Sequence, residues 1–134
     1  MEDRKELLSQ ILIRVQRNYT RVVEIERLTK ELGDTLSRDD RESARLLLKM
    51  RGDEMNRVGQ TKEEIQMILH ALGEEDQKEL RELLTGEKVP PSEDYEAKKI
   101  AELSHQLSQA LERTILIDQR ISSKLAGKDS YYAE

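Results

Sequence analysis

Residues 100–125, IAELSHQLSQALERTILIDQRISSKL, decide the fold of this chain. Apolar and small residues recur in this stretch at alternating steps of three and four, and these are Ile100, Leu103, Leu107, Ala110, Thr114, Ile117 and Ile121. Residues at such steps lie on one face of an α-helix, so the stretch predicts a long amphipathic helix. The whole chain is 38% charged, but this stretch has few charged residues, and serine, threonine and glutamine fill most of the positions outside the apolar face. We expect such a helix to contact neighbours on more than one side and the chain to be organised around it.

The same spacing occurs twice earlier in the chain, and each occurrence predicts another long helix. The first helix carries it at Leu8, Ile11, Val15, Asn18, Val22, Ile25, Thr29, Leu32 and Leu36. The second carries it at Ala44, Leu48, Arg51, Met55, Val58, Lys62, Ile65, Leu69 and Leu72, and we expect it to continue through Gly52 and Gly59. Residues 37–40 contain residue types that cap helix N-termini and predict a short turn, which makes the two helices antiparallel.

A short helix and a break separate the second long helix from the last one. Gly73 is expected to cap the second helix, residues 74–84 predict the short helix, and residues 85–91 end in two prolines that predict the break. Ser92 is expected to cap the last helix at its start, and Gly127 to end it after Ala126.

Together these elements predict an all-α protein, because the apolar face of each helix must be covered by another helix. The predicted architecture is an elongated antiparallel bundle of three long helices with one short helix, formed by residues 1–126. Residues 127–134 are expected to form a flexible C-terminal tail.

Composition restricts the class of protein further. Aromatic residues make up 3% of the chain, so the core is expected to be aliphatic, and the lack of cysteine excludes disulfides and thiolate metal sites. The charged N-terminus is unlike a secretory signal, and no apolar run has the length of a membrane span. The net charge of −5 argues against nucleic acid as the main partner. These features predict a soluble, cytoplasmic protein that does not insert into a membrane.

The sequence contains no motif that predicts an enzyme. Glu102 and His105 have the Glu-x-x-His spacing of di-metal helical bundles, but they fall on the outer flank of the last helix and His70 has no such partner. Residues 86–88 lack the flanking residues of a phosphate-binding loop, and no nucleophile has a recognisable signature around it. We therefore expect a non-enzymatic protein without a metal ion or other cofactor, with both histidines at the surface.

Two basic stripes at helical spacing leave nucleic-acid binding as a minor alternative. They are Arg14, Arg17 and Arg21 on the first helix, and Arg38, Arg41, Arg45 and Lys49 around the start of the second. Acidic residues are interspersed in the same segments, and no aromatic residue alternates with the bases to stack on single strands. A solvated face with salt bridges accounts for these stripes better than a nucleic-acid adaptor does.

The last helix has more apolar residues than one bundle face can use. With Ile100 and Leu103 on the core face, Ile115 and Leu116 point away from it and Leu111 lies at its edge. Together with Ile117, these residues make most of one helical turn apolar. The excess has two interpretations: a bundle helix with two neighbours, or an exposed groove that takes up an amphipathic helix of a partner or of a second copy.

The arrangement of helices resembles the flagellar type III export chaperones of the FlgN kind. The resemblance rests on a long helix, a short turn at Asp39 and Asp40, and a second helix that opens with residues 44–48, ARLLL. A proline-containing break and a last helix with a tyrosine-bearing tail complete it. It covers nearly the whole chain, and the glycines inside the second helix depart from it.

This resemblance implies a cytoplasmic chaperone that keeps hook-associated proteins, which form the hook–filament junction, unassembled until export. It implies that the terminal helix of the client packs on the last helix and that a tail tyrosine contacts a membrane protein of the export gate. The matching residues would be Leu111, Ile115, Leu116 and Ile117 for the client, and Tyr131 or Tyr132 for the gate. The alternative from another class is a structural coiled-coil protein that associates with itself as a homodimer.

Overall fold

The computed structural model of the protein describes residues 3–87 and 93–127. Four helices account for almost all of them: α1 spans Arg4–Ser37, α2 Arg41–His70, α3 Glu74–Leu84 and α4 Tyr95–Gly127. At about 1.5 Å per residue, the three long helices are each about 45–50 Å long. The predicted all-α bundle of three long helices and one short helix is confirmed, and α2 runs without interruption through both of its internal glycines.

The central helix of the bundle is α1, because it packs along both α2 and α4. Among the described residues, no Cα atom of α2 lies within 8 Å of a Cα atom of α4. The expectation that the last helix organises the fold is therefore wrong, although α4 does contact two neighbours, α1 and α3. The reason is visible along α1, where every residue of the predicted core face is buried except Leu36, which is half-buried.

The polar residues on the core face of α1 bond to backbone carbonyl groups. The Asn18 side-chain amide donates to the carbonyl oxygen of Val58 on α2 at 3.3 Å, and the Thr29 hydroxyl donates to that of Ile25 at 2.7 Å. No buried side-chain nitrogen or oxygen among the described residues lacks a partner. These polar positions therefore carry little desolvation penalty.

The connections before α2 and before α3 lie where the sequence predicts them, but one predicted cap is wrong, and Ser92, the predicted cap of the last helix, lies outside the described residues. Asp39 adopts a left-handed backbone conformation, and the carboxylate of Asp40 accepts a hydrogen bond from the backbone N–H of Ser43 at the start of α2. Gly73 does not cap the end of α2: the C-cap of α2 is Ala71, and Gly73 is the N-cap of α3.

Ion pairs fix the direction of α4 relative to α1. Arg4 at the start of α1 donates to Asp94 at 2.8 Å, just before α4, and to Asp76 of α3 at 3.0 Å. Closer to the C-terminal ends of both helices, Arg113 of α4 donates two hydrogen bonds to the buried carboxylate of Glu26 on α1, at 3.0 and 3.2 Å. The two helices therefore run in the same direction, while α2 runs antiparallel to both.

The Glu26–Arg113 pair predicts how stability depends on pH. The two hydrogen bonds from Arg113 hold the pKa of Glu26 below its usual range. The pair therefore stabilises the fold fully above the pKa of an unfolded glutamate and loses its effect as the pH falls through the lower, folded pKa. We expect Arg113→Gln to be destabilising at pH 7 and the difference from the parent protein to shrink as the pH falls below about 4.3, the ordinary pKa of a glutamate.

Urea unfolding followed by circular dichroism at pH 7 and at pH 3 measures this difference in stability between Arg113→Gln and the parent protein. Arg57→Gln, which removes an exposed pair with Glu54, serves as the control and should change stability little at either pH. A difference between Arg113→Gln and the parent that is equal at pH 7 and pH 3 would contradict the assignment to Glu26.

Candidate partner-binding groove

An open groove runs between α2 and α4, with α1 as its floor. Part of it is a cavity of about 400 Å³. Val15 and Asn18 of α1 form the floor, and Leu84 and Thr85 at the end of α3 close one end. The walls are lined by Lys62, Ile65 and Gln66 from α2 and by Ser104, Leu107, Ser108 and Leu111 from α4. We call this feature the α2–α4 groove.

The short helix α3 occupies the position of the fourth helix in a four-helix bundle. It packs along α4 and contacts α2, and its Leu80 and Leu83 side chains join the core formed by the three long helices. With 11 residues it has about one third of the length of α1. Beyond Leu84 no helix of the described ranges continues in this position, and this is the vacant part of the α2–α4 groove.

The end of α3 is held against α4 by close backbone contacts. Gly86 has a φ angle of +74°, and a Cβ atom there would overlap the carbonyl oxygen of Ser104 on α4. His105 Nδ1 lies 2.8 Å from the carbonyl oxygen of Gly86, which can only accept, so this nitrogen carries the proton and donates. These contacts fix where α3 stops and where the vacant part of the groove begins.

Helical repetition extends the α2 wall beyond the cavity. Residues seven apart lie on nearly the same face of a helix, so the face of α2 that carries Lys62 also carries Met55 and Leu48. Met55 is 44% exposed and Leu48 is 50% exposed. In the same way, Gly59 and Gly52 lie on the same face as Gln66. Nothing lies within 4 Å of a Cβ atom placed on either glycine. The α2 wall is therefore apolar and open, with gaps at two positions.

The α4 wall continues past the cavity in the same direction. Leu111 and Asp118 lie on the same face of α4 as Ser104, and Ile115 lies on the same face as Ser108. Leu111 is 37% exposed and Ile115 is 54% exposed. Apolar side chains therefore line both walls of the vacant part of the groove.

A bridge between the walls limits the depth of the groove. Arg51 on α2 donates to Asp118 on α4 at 2.8 Å and to the hydroxyl of Thr29 on α1 at 3.3 Å. This guanidinium therefore links all three long helices and places polar groups between the two walls. A helix that binds in the groove would therefore contact the walls on the solvent side of this bridge.

The predicted client-binding residues of α4 divide between different faces. Leu111 lies in the groove and Ile115 follows on the same side, whereas Leu116 is exposed on another side of the helix and Ile117 is half-buried. They therefore do not form one binding face, because consecutive residues are 100° apart around a helix. Tyr131 and Tyr132 lie outside the described residues.

Sequence reasoning missed the α2 wall. It assigned Leu48 and Met55 to the buried face of α2, and the structure leaves both substantially exposed. The signal was Lys62, a basic residue on that face that the structure leaves exposed, whereas Arg51, the other basic residue there, pairs with Asp118 of α4. The residues of α2 that pack on α1 instead include Leu47 and Thr61, which are one position earlier.

Other candidate sites are accounted for by contacts within the bundle. Arg14 pairs with Glu64 at 3.1 Å, and Arg21 bonds to Thr61 at 2.6 Å, so two bases of the first stripe join α1 to α2. His70 is exposed as expected, whereas His105 is half-buried because of its bond to Gly86. In residues 3–87 and 93–127, no group of three or more acidic or histidine side chains could hold a metal ion.

None of the helices in the described ranges combines the length and the hydropathy that crossing a membrane requires. Comparison with known proteins finds no family model, no curated protein and no solved structure that matches the chain.

Proposed function

We propose that the protein binds an amphipathic helix of a partner protein in the α2–α4 groove. The observation that carries the proposal is the half-filled fourth-helix position, where α3 packs at one end and apolar walls remain exposed at the other. Helix-in-groove binding uses apolar anchors at steps of three and four, which is how Leu80 and Leu83 of α3 reach the core. The partner helix continues the line of α3.

The walls also define the chemistry of the partner helix. Met55 and Leu48 on one side and Leu111 and Ile115 on the other call for leucine-like anchors. Lys62 at the rim makes no ion pair or hydrogen bond with another described residue and favours an acidic residue beside those anchors. The two glycines of the α2 wall allow the backbone of the partner helix to approach closely.

We propose further that the protein is a non-enzymatic, cytoplasmic export chaperone of the FlgN kind. In this proposal the partner is a terminal helix of a hook-associated protein, and binding shields a surface that would otherwise assemble early. The resemblance in helix layout supports the proposal, as does the exposure of Leu111 and Ile115 on the last helix. Tyr131 and Tyr132 would contact the export gate after the client is loaded.

Substitution of both walls tests the groove. We expect Met55→Ser together with Leu111→Ser to weaken binding of a hook–filament junction protein from the same genome on the order of 100-fold, since each side chain contributes about 1.5 kcal/mol or more when buried. Both residues are exposed, so helicity should be unchanged. Isothermal titration calorimetry measures the affinity.

A matched control uses the same two helices. Leu46 and Leu116 are exposed apolar residues outside the groove, and Leu46→Ser with Leu116→Ser should leave the affinity within about threefold of the parent. Stronger weakening by this control than by the groove variant would overturn the groove as the binding site. Binding to no junction protein at all would overturn the export-chaperone proposal.

A further inference from the structure

The exposed side of α2 that includes the α2 wall carries a stripe that is complementary to itself. Leu48, Gly52, Met55 and Gly59 follow each other at steps of four, three and four, so large and absent side chains alternate along it. Both large residues are substantially exposed, and both glycines face open space. An exposed helix face with this alternation can accept another helix at close range.

We infer that a second copy of the chain docks on this stripe, with the two α2 helices antiparallel about a two-fold axis. Leu48 and Gly59 share their midpoint with Gly52 and Met55, between Asp53 and Glu54. A two-fold axis at this level places Leu48 opposite Gly59 of the partner subunit and Met55 opposite Gly52 of the partner subunit. Each large side chain then meets a gap, which is the arrangement that close helix packing requires.

The charges of α2 favour the same antiparallel arrangement. Residues 41–51 contain four bases and one acid, whereas residues 52–70 contain four acids and two bases. Antiparallel copies therefore bring the basic half of one helix against the acidic half of the other. At the stripe itself, Arg45 precedes Leu48 by three positions and Glu63 follows Gly59 by four, so Arg45 faces Glu63 of the partner subunit.

Arg45 and Glu63 are available for this contact. Both are exposed, and neither forms an ion pair or a hydrogen bond with another described residue. The symmetric interface contains this pair twice. The complementarity of both shape and charge at one register selects a second copy as the occupant.

The stripe is also part of the α2 wall of the groove. A second copy and a partner helix therefore compete for Met55, and self-docking covers the apolar wall until a partner arrives. This competition rests on the proposed function, whereas the dimer itself does not. Its measurement contains no partner protein, so failure of either proposal leaves the other standing.

Sedimentation equilibrium of the full chain tests the dimer. We expect a concentration-dependent equilibrium between monomer and dimer. Gly52→Gln with Gly59→Gln should fill both gaps and raise the dimer dissociation constant on the order of 100-fold or more. The same variant should raise the melting temperature of the monomer, because glutamine forms helix better than glycine and the structure leaves room for it. A folding defect is thereby separated from an interface defect.

Charge exchange tests the register. Arg45→Glu alone and Glu63→Arg alone should each weaken the dimer severalfold, and the two changes together should restore it. A parent protein that stays monomeric at millimolar concentration would overturn the inference. A glutamine variant that dimerises as well as the parent would overturn it too, and failure of the double charge exchange to restore association would overturn the proposed register.

Discussion

Gly86→Ala should lower the free energy of unfolding by about 3 kcal/mol. The residue has a φ angle of +74°, and a residue with a Cβ atom costs about 1–2 kcal/mol in this left-handed region. The added methyl group would also overlap the carbonyl oxygen of Ser104, and relief of such overlap by backbone shifts costs about 1–3 kcal/mol more. The shift would move the end of α3 away from α4 and weaken the hydrogen bond that Gly86 accepts from His105.

The matched control for this change is Gly59→Ala. Gly59 lies inside α2 with open space around it, so alanine should stabilise the chain by up to about 1 kcal/mol. Urea unfolding of both variants, at a concentration low enough to avoid self-association, gives the two free energies. Equal effects of the two substitutions would show that the position of Gly86 is not constrained as the structure indicates.

Leu80→Ala should destabilise the protein by about 2–5 kcal/mol, because it leaves a cavity at a fully buried position. Leu80 lies in the core cluster that α3 shares with the three long helices. A helix of 11 residues is too short to be stable alone in water, so its structure depends on this contact. We expect α3 to lose its amide protection while most of α1 and α4 retain theirs.

Hydrogen exchange resolved by residue or by short peptide measures this local loss, and urea unfolding measures the total. Glu79→Ala, at the adjacent exposed position on the same helix, is the control and should change the free energy of unfolding by less than about 0.5 kcal/mol. Uniform loss of protection in all four helices would contradict the view that α3 is a separately anchored element.

These two changes also bear on the α2–α4 groove. The end of α3 forms the closed end of the groove through Leu84 and Thr85. If α3 detaches, its end no longer separates the filled part of the fourth-helix position from the vacant part, and the apolar residues beneath α3 become exposed. Partner binding that becomes weaker or less specific in Leu80→Ala would be consistent with α3 setting the start of the binding site.

The periodicity of apolar residues was sufficient to predict the helices and their order. Steps of three and four on α1 correspond to a buried face along almost its whole length, and the bounds of α3 agree with the predicted residues 74–84. Periodicity works here because a helix that buries one face must repeat its apolar residues with the period of the helix. The turn before α2 was equally predictable, since Asp40 caps that helix through its own side chain.

Periodicity could not show which helix lies at the centre. The patterns on α1, α2 and α4 are similar, and each is compatible with one neighbour or two. Glu26 is an example. From the sequence an acidic residue is expected to be exposed, but Glu26 is buried because Arg113, 87 residues away in the sequence, binds it. Such long-range pairs depend on how the helices are arranged in space, and local spacing contains no information about that.

By itself, the sequence determined an all-α bundle and the approximate extent of each helix, since local hydrogen bonding and apolar period are properties of neighbouring residues. Only the tertiary structure decided that α2 and α4 lie apart on either side of α1 and that α3 fills a third of the space between them. Leu48 and Met55 have the spacing of core residues, yet they line an open groove because no helix within residues 3–87 and 93–127 covers them. Burial depends on the neighbour across the interface, and that neighbour is set by the packing of the whole chain.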